Sequence, residues 1–321
     1  MRLISSPLQS FTDFPFRNGI HKYFGGIDTY YAPYIRLNGK FVIKPNYQRD
    51  LEPKNNKVHH LVPQIMTCSE EEFLFVIEYV QSLGYKELNW NLGCPYPMVI
   101  NRGMGSGLIA DPDKIDRILD TVHTKTDITI SMKMRMGYND SSEILKVFPV
   151  LNKYPIQNVA IHARIGKQLY KGGVDLESFS KCIDPSKHPI FYNGDITTLD
   201  SFNKTQNTFP QLNTFLIGRG LISDPFLPSM IKANTNEYPE DRFELFRMFH
   251  DDLYEYYKEK LSGAKATVQK MYHFWEYFAL SMESPERDLK KIKKAKTYPD
   301  FVDAVDRLLD NQMELDFIDD Y

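Results

Sequence analysis

The chain has 321 residues, a formal net charge of −3, 25% charged residues and 42% hydrophobic ones. This is ordinary for a soluble globular protein and leaves room for one large domain and a smaller one; it excludes a polycation that binds nucleic acid through its overall field, and no apolar run reaches the ~20 residues of a membrane span. The three cysteines, Cys68, Cys94 and Cys182, are far apart and form no CxxC, so neither a disulfide framework nor a metal site is expected, and a reducing cytoplasm is the expected compartment.

The elements follow in order. Arg2–Ser6 reads as a strand that starts too early to leave room for a signal peptide. A turn-rich loop follows it, and Thr12 or Asp13 can cap the helix that holds Pro15 in its first turn. Thr29–Ala32 and Leu61–Met66 are further strands, the latter with Gln64 inside an apolar run. Glu70–Leu83 is an amphipathic helix with acids in its first turn. Glu87–Asn91 is the fourth strand, and Asp113–Thr124 is a helix with Ile115, Ile118, Leu119 and Val122 on one face. Ile128–Met134, Asn158–His162, Ile190–Tyr192 and Thr214–Ile217 complete the strands, with a helix over Ser141–Lys153. Eight strand–helix units over about 230 residues is the arithmetic of a (β/α)8 TIM barrel. A doubly wound sheet normally opens on GxGxxG, and Pro7-Leu8-Gln9 has no likeness to it.

Strand signals stop near Glu237. Tyr238–Lys260 and Ala264–Met282 are long helical runs, Arg287–Lys296 holds six basic residues in ten, and Phe301–Leu309 is a last helix before an acidic, frayed tail. The expected division is a barrel over 1–236 and a helical bundle over 237–321.

The stretch Glu87–Leu108 is the most informative one. A strand runs into Gly93-Cys94-Pro95, which leaves the thiol at the end where barrel enzymes keep their chemistry. Gly103, Gly105 and Gly107 are spaced by two and are expected to let backbone approach a flat ligand or a polynucleotide. A buried, inert cysteine is the bland alternative. Other strands also end in polar residues: Gln64, Asn91, Lys133 with Arg135, His162 with Arg164, Asn193 with Asp195, and Arg219. Each alone can be structural. Together, on one face of a barrel, they describe a site. Gly218-Arg219 suits a phosphate, Asn193-Gly194-Asp195 can support it, and Lys133 with Gln64 can bond the edge of a flavin.

Asn91-Leu92-Gly93-Cys94-Pro95 with Gly103-x-Gly105, followed by Lys133-x-Arg135-x-Gly137, His162-x-Arg164, Asn193-Gly194-Asp195 and Gly218-Arg219, resembles the dihydrouridine synthases over nearly the whole chain. These are flavin enzymes that reduce uridine in transfer RNA. The resemblance implies FMN binding by Pro7, Leu8, Gln9, Gln64, Lys133, His162, Asn193, Gly194, Asp195, Gly218 and Arg219, with Cys94 as the catalytic acid. It also implies NADPH as hydride donor and tRNA as partner. Leu8 stands where Met is usual, Ser10 where Gly is usual, and Ile165 where Thr is common.

Asn91 is expected to bond a uracil carbonyl, and Arg135, Arg164 and Tyr170 to hold the base or its phosphate. Arg36 stands at the barrel mouth. In the helical domain, Lys270, Tyr272 and Lys293 match positions that the family uses against tRNA, especially the branch acting on D-loop uridine 16. The expected state is a monomer. The competing reading is an FMN barrel oxidoreductase acting on a small pyrimidine of the dihydroorotate or dihydropyrimidine type. The basic helical domain argues against it.

Overall fold

The computed structural model describes residues 1–319, with side chains through residue 314. The chain divides into two compact units. Residues 1–14, 27–196 and 200–218 form the first; residues 15–26, 197–199 and the described chain from 219 onward form the second.

The first unit is a parallel barrel of nine strands: β1 Arg2–Ser5, β2 Thr29–Tyr31, β3 Leu61–Val62, β4 Gln64–Ile65, β5 Glu87–Leu92, β6 Thr129–Gly137, β7 Val159–Ile165, β8 Ile190–Asn193 and β9 Thr214–Ile217. Their order is β3-β2-β1-β9-β8-β7-β6-β5-β4. The two ends of that order, β3 and β4, are separated in sequence only by Pro63. The ring therefore closes: β3 pairs with β2 through Tyr30↔Leu61, and β4 with β5 through Gln64↔Asn89. The sequence predicts one strand over Leu61–Met66. Pro63 divides it, because its nitrogen has no hydrogen to give to the ladder. Its carbonyl still accepts the Asn89 N–H at 2.9 Å.

Both faces of a barrel strand are buried, so the period of two separates inside from outside. Trp90 packs edge-on against Phe73 on the outer side, with ring centroids 5.3 Å apart, which leaves Asn89 and Asn91 on the inner row. Ile4, Tyr31, Val62, Ala160, Phe191 and Leu216, from six strands, plug the barrel in one apolar cluster. Nearer the C-terminal end the inner row turns polar. Gln64 Nε2 donates to Asn89 Oδ1 (2.8 Å), Asn89 Nδ2 to Ser131 Oγ (2.8 Å) and Asn91 Nδ2 to Gln64 Oε1 (2.8 Å).

Caps place the outer helices. Ser69 Oγ accepts Glu72 N–H at 3.2 Å to start helix Glu70–Ser82, and Asp111 accepts Lys114 N–H at 3.0 Å to start Pro112–Lys125. Ile115, Ile118, Leu119 and Val122 are all buried, as their spacing predicts. The helix expected over Ser141–Lys153 is instead a 3-10 turn, Glu143–Lys146, and a short helix, Phe148–Leu151, with Pro149 in its first turn.

In the second unit, helix Arg242–Lys260 starts after Pro239 rather than at Tyr238, and Ala264–Phe278 passes into a 3-10 turn, Ala279–Ser281. Glu286–Lys294 carries the basic run. The last helix spans Tyr298–Asp319, well beyond the expected Phe301–Leu309 and through most of the tail read as frayed; residues 320 and 321 lie outside the described residues. Trp275, Phe246, Phe249 and Phe278 build an edge-to-face aromatic core. Trp275 Nε1 donates to the buried His250 Nε2 at 3.2 Å, so the His250 proton sits on Nδ1, which faces Asp251 Oδ1 at 2.9 Å.

The amide chain makes a stability prediction. Asn89→Ala leaves Gln64 Nε2 and Ser131 Oγ in the barrel without their partner, at a cost of about 1–3 kcal/mol. Chemical denaturation should show a lower midpoint at an unchanged slope; an unmoved midpoint would mean that the network carries no stability.

Candidate active site

Cys94 stands directly beyond β5. Asn91 Oδ1 accepts the N–H groups of Gly93 (3.0 Å) and Cys94 (3.1 Å), turning the chain as it leaves the barrel. Both ends of the Asn91 amide are thus engaged by the protein. Cys94 is 7% exposed and packs with Met66, Val99 and Met104. Tyr34 Oη lies 3.8 Å from Sγ. Burial first, and Cys94 second, push the Tyr34 phenol well above its ordinary pKa, so it stays a neutral hydroxyl beside the thiol.

The loop then folds back. The backbone N–H and the hydroxyl of Ser106 donate to Cys94 O at 3.0 and 3.2 Å. Gly105 has φ +58°, and a Cβ there would lie 2.4 Å from Cys94 O. The sequence reading takes the glycines as an open approach for a ligand. The structure corrects this at Gly105, which is needed because the strap closes on the cysteine's own carbonyl. The other cysteines differ in setting. Cys68 donates to Arg102 O at 3.3 Å, and Cys182 is buried with its thiol pushed up to about 12.

Lys133 lies beside Asn91 in the β5–β6 register. It is half-buried and has no hydrogen bond or ion pair among the described residues. Burial, helped by the Arg135 guanidinium, lowers its ammonium to about 8. Arg135 donates through Nε to Gly93 O (3.2 Å) and through Nη1 to Ile165 O (2.7 Å), with its guanidinium 5.3 Å from the Tyr170 ring centre. It braces the cysteine turn against the loop after β7.

Arg164 is buried and bidentate on Asp195, through Nη1–Oδ1 at 2.8 Å and a shorter Nη2–Oδ2 bond. It also donates to Gly172 O (2.6 Å) and to His162 Nε2 (3.2 Å). A guanidinium only donates, so His162 Nε2 accepts and its proton sits on Nδ1. Arg164 and Asp195 therefore hold each other. Asn193 Nδ2 donates to Leu216 O at 3.0 Å, tying β8 to β9. Gly194 has φ +141°, and a Cβ there would come 2.7 Å from Val174 Cγ1.

Pro7, Leu8 and Gln9 form the loop after β1, closed by Leu8 N–H to Thr12 Oγ1 at 2.9 Å. Gln9 Nε2 donates to Tyr34 O at 3.2 Å, while its buried Oε1 has no partner among the described residues. Ser10 keeps a positive φ of 68°, so this non-glycine residue takes the left-handed backbone all the same. Gly218 closes the barrel unit, and Arg219 opens the short helix Arg219–Ser223 of the second. Arg36 is half-buried, beyond the Ile35↔Ile65 bridge.

Within the second unit, Lys293 Nζ lies 5.2 Å from the Tyr272 ring centre, and Lys270 Nζ lies 4.5 Å from Tyr257 and 4.8 Å from Phe274. The basic run is anchored by Ile292 and Asp288, which are buried, and Asp288 accepts from Lys291 at 2.7 Å.

Tyr34, Asn89 and Ser131 escaped the sequence reading. Counting back by two from Asn91 and Lys133 would have found the last two. Tyr34 gave no local signal, because 60 residues separate it from Cys94.

The dihydrouridine synthase family model matches residues 3–311. The chain belongs to the dihydrouridine synthase family. It is 28% identical over 263 residues to a probable tRNA-dihydrouridine synthase of Helicobacter pylori, covering 80% of this chain and 78% of the relative. It is 25% identical over 247 residues to a tRNA-dihydrouridine(16) synthase of Ralstonia nicotianae (75% of each chain), and 27% over 233 residues to tRNA-dihydrouridine synthase B of Pseudomonas aeruginosa (70% and 67%). Among solved structures, the fold resembles morphinone reductase, at TM-score 0.54 and 7% identity (76% of this chain, 88% of that one). It also resembles a variant of NCR from Zymomonas mobilis, at TM-score 0.51 and 10% identity (76% and 90%).

The strap over this family member's cysteine can be tested directly. Gly105→Ala combines a positive φ with a clash against Cys94 O, and should lower stability by more than about 1 kcal/mol. It should also speed alkylation of Cys94 by iodoacetamide as the turn loosens. Unchanged melting and alkylation would show that the strap does not hold the thiol.

Proposed function

We propose that the protein is a tRNA-dihydrouridine synthase that binds FMN at the barrel's strand ends and reduces the C5–C6 double bond of a D-loop uridine, position 16, with NADPH as reductant. The observation that carries this reading is Lys133 on β6 in register with Asn91, whose side chain turns the chain into Cys94, within a chain of the dihydrouridine synthase family. The residues present suit a flavin: among the described residues, a buried Gln9 Oε1 without a partner, a buried Arg164 Nε in the same condition, and a Lys133 ammonium with no acceptor. Such groups demand a polar ligand. Pro7, Leu8, Gln9, Gln64, Lys133, His162, Asn193, Gly194, Asp195, Gly218 and Arg219 would hold it.

When bound, the flavin supplies a hydride to C6 of the uracil. Cys94 gives its thiol proton to C5, and the thiolate left behind regains a proton from solvent before the next turnover. Lys133 offsets negative charge at the flavin edge. Arg135 and the Asn91 turn fix where the thiol stands. The uridine must leave its stack to reach this depth, at a cost of a few kcal/mol that is smallest in an unpaired loop.

In this reading residues 237–321 serve as the tRNA platform and residues 1–236 as the catalytic region, with Arg36 at the barrel mouth and Lys270, Tyr272 and Lys293 on the helices. Position 16 draws support from that trio and from the Ralstonia relative's name. The names of the relatives favour tRNA over a small pyrimidine as substrate. In this reading the enzyme is a cytoplasmic monomer that needs no metal. Among the described residues no helix is long and apolar enough to cross a membrane.

Cys94→Ala should keep FMN and its reduction by NADPH but lose ~10²–10⁴-fold in dihydrouridine formed under single turnover with pre-reduced flavin. Cys68→Ala and Cys182→Ala should be near silent. Wild-type product formation by Cys94→Ala would remove the thiol from the reaction.

Lys133 sets a pH dependence. Its cation is present below about 8 and lost above, so FMN affinity, read by fluorescence quenching, should fall as pH rises through that value. Lys133→Met should bind FMN more weakly and without that pH step. A step of equal size in the variant would assign it to another group.

A further inference from the structure

Among the described residues of the barrel unit, the exposed large apolar side chains other than Met1 are Phe41, Val42, Tyr96, Met98, Leu169 and Tyr170. They sit on the loops that follow β2, β5 and β7, all at the C-terminal end of the barrel. Some are already engaged. Phe41 meets Phe75 edge-on at 5.5 Å, and Tyr170 faces Arg135. Tyr96 and Met98, 53% and 66% exposed, have no ring contact or side-chain hydrogen bond among the described residues.

They are not loose. Tyr96 is flanked by Pro95 and Pro97, which restrict its backbone, and its carbonyl accepts the N–H groups of Val99 (2.8 Å) and Ile100 (3.1 Å). An aromatic ring and a thioether are thus held in water on a stiff turn two residues from the catalytic thiol. The surrounding charge selects the partner. The loops 32–44, 93–103 and 166–173 carry Arg36, Lys40, Lys44, Arg102, Lys167 and Lys171 and no acidic residue, in a chain whose net charge is −3. Cations around exposed rings are how single-stranded nucleic acid is gripped: the charges track phosphates, and the rings stack on bases. Two side chains are too small an apolar patch for a stable protein partner.

We propose that Tyr96 and Met98 form a stacking ledge for the unpaired nucleotides beside the target uridine, giving the RNA affinity a component that does not depend on salt. This deepens the tRNA reading and rests on it. Phosphate contacts release counterions and set the slope of log affinity against log salt, whereas stacking shifts the line without tilting it.

The test uses full-length, flavin-loaded protein and a substrate tRNA with 2-aminopurine next to the target uridine. Its flavin spectrum reports whether each variant is folded. The double variant Tyr96→Ala/Met98→Ala should bind roughly 5–100-fold more weakly at every salt concentration, with an unchanged slope. It should also lose the 2-aminopurine quenching that the wild-type protein produces. Tyr96→Phe should keep both affinity and quenching. Wild-type affinity in the double variant, a changed slope, or an equal loss in Tyr96→Phe would each overturn the ledge. Failure of the tRNA reading itself would look different: the wild-type protein would form no dihydrouridine in any tRNA.

Discussion

A parallel barrel hides both faces of every strand, so a polar side chain on the inner row must find its partner inside the ring or in a ligand. The rest of the site depends on this constraint. Gln64, Asn89, Asn91 and Ser131 answer it with a chain of 2.8 Å amide bonds across β4, β5 and β6. The chain lies where Pro63 interrupts the ladder, so side chains bridge strands that the backbone pairs only over a short length. Above it the accounting stops closing: Gln9 Oε1, Arg164 Nε and the Lys133 ammonium have no partner within the barrel unit as described. The fold satisfies its own floor and leaves the rim for something else.

The cysteine is fixed by the same floor. Asn91 reaches down to Gln64 and up to the N–H groups of Gly93 and Cys94, so the amide chain sets where the cysteine turn leaves the barrel. Arg135 then bonds Gly93 O and Ile165 O, and Ser106 closes on Cys94 O from the other side. Preorganisation of this kind fixes the thiol before any ligand arrives. Tyr34 adds a hydroxyl that burial keeps neutral next to sulfur.

The second unit follows a different rule. Its core is aromatic, built on Trp275, Phe246, Phe249 and Phe278, and its surface cations lie over rings, Lys293 on Tyr272 and Lys270 on Tyr257 and Phe274. A cation over a ring is held in place yet keeps its charge. Such a surface can meet phosphates with less ordering cost than a row of free lysines.

The sequence by itself determined the barrel, because the period-2 strands and the caps at Ser69 and Asp111 are local signals. It singled out Cys94, Lys133 and the polar strand ends as candidates, because residue types unsuited to a core stand out near the ends of apolar runs. It also placed the helical region and the barrel helices, though not their limits: Pro149 shortened a barrel helix, Pro239 delayed a helix of the second unit, and the last helix ran on through residues read as tail. Only the tertiary structure decided how the polar residues divide their work. Nothing local distinguishes Arg164, bound to Asp195, from Lys133, which has no acceptor among the described residues, or shows that Tyr34 meets Cys94. Those facts depend on which strands become neighbours when the ring closes, and that closure joins residues tens of positions apart whose side chains carry no mark of one another in the chain.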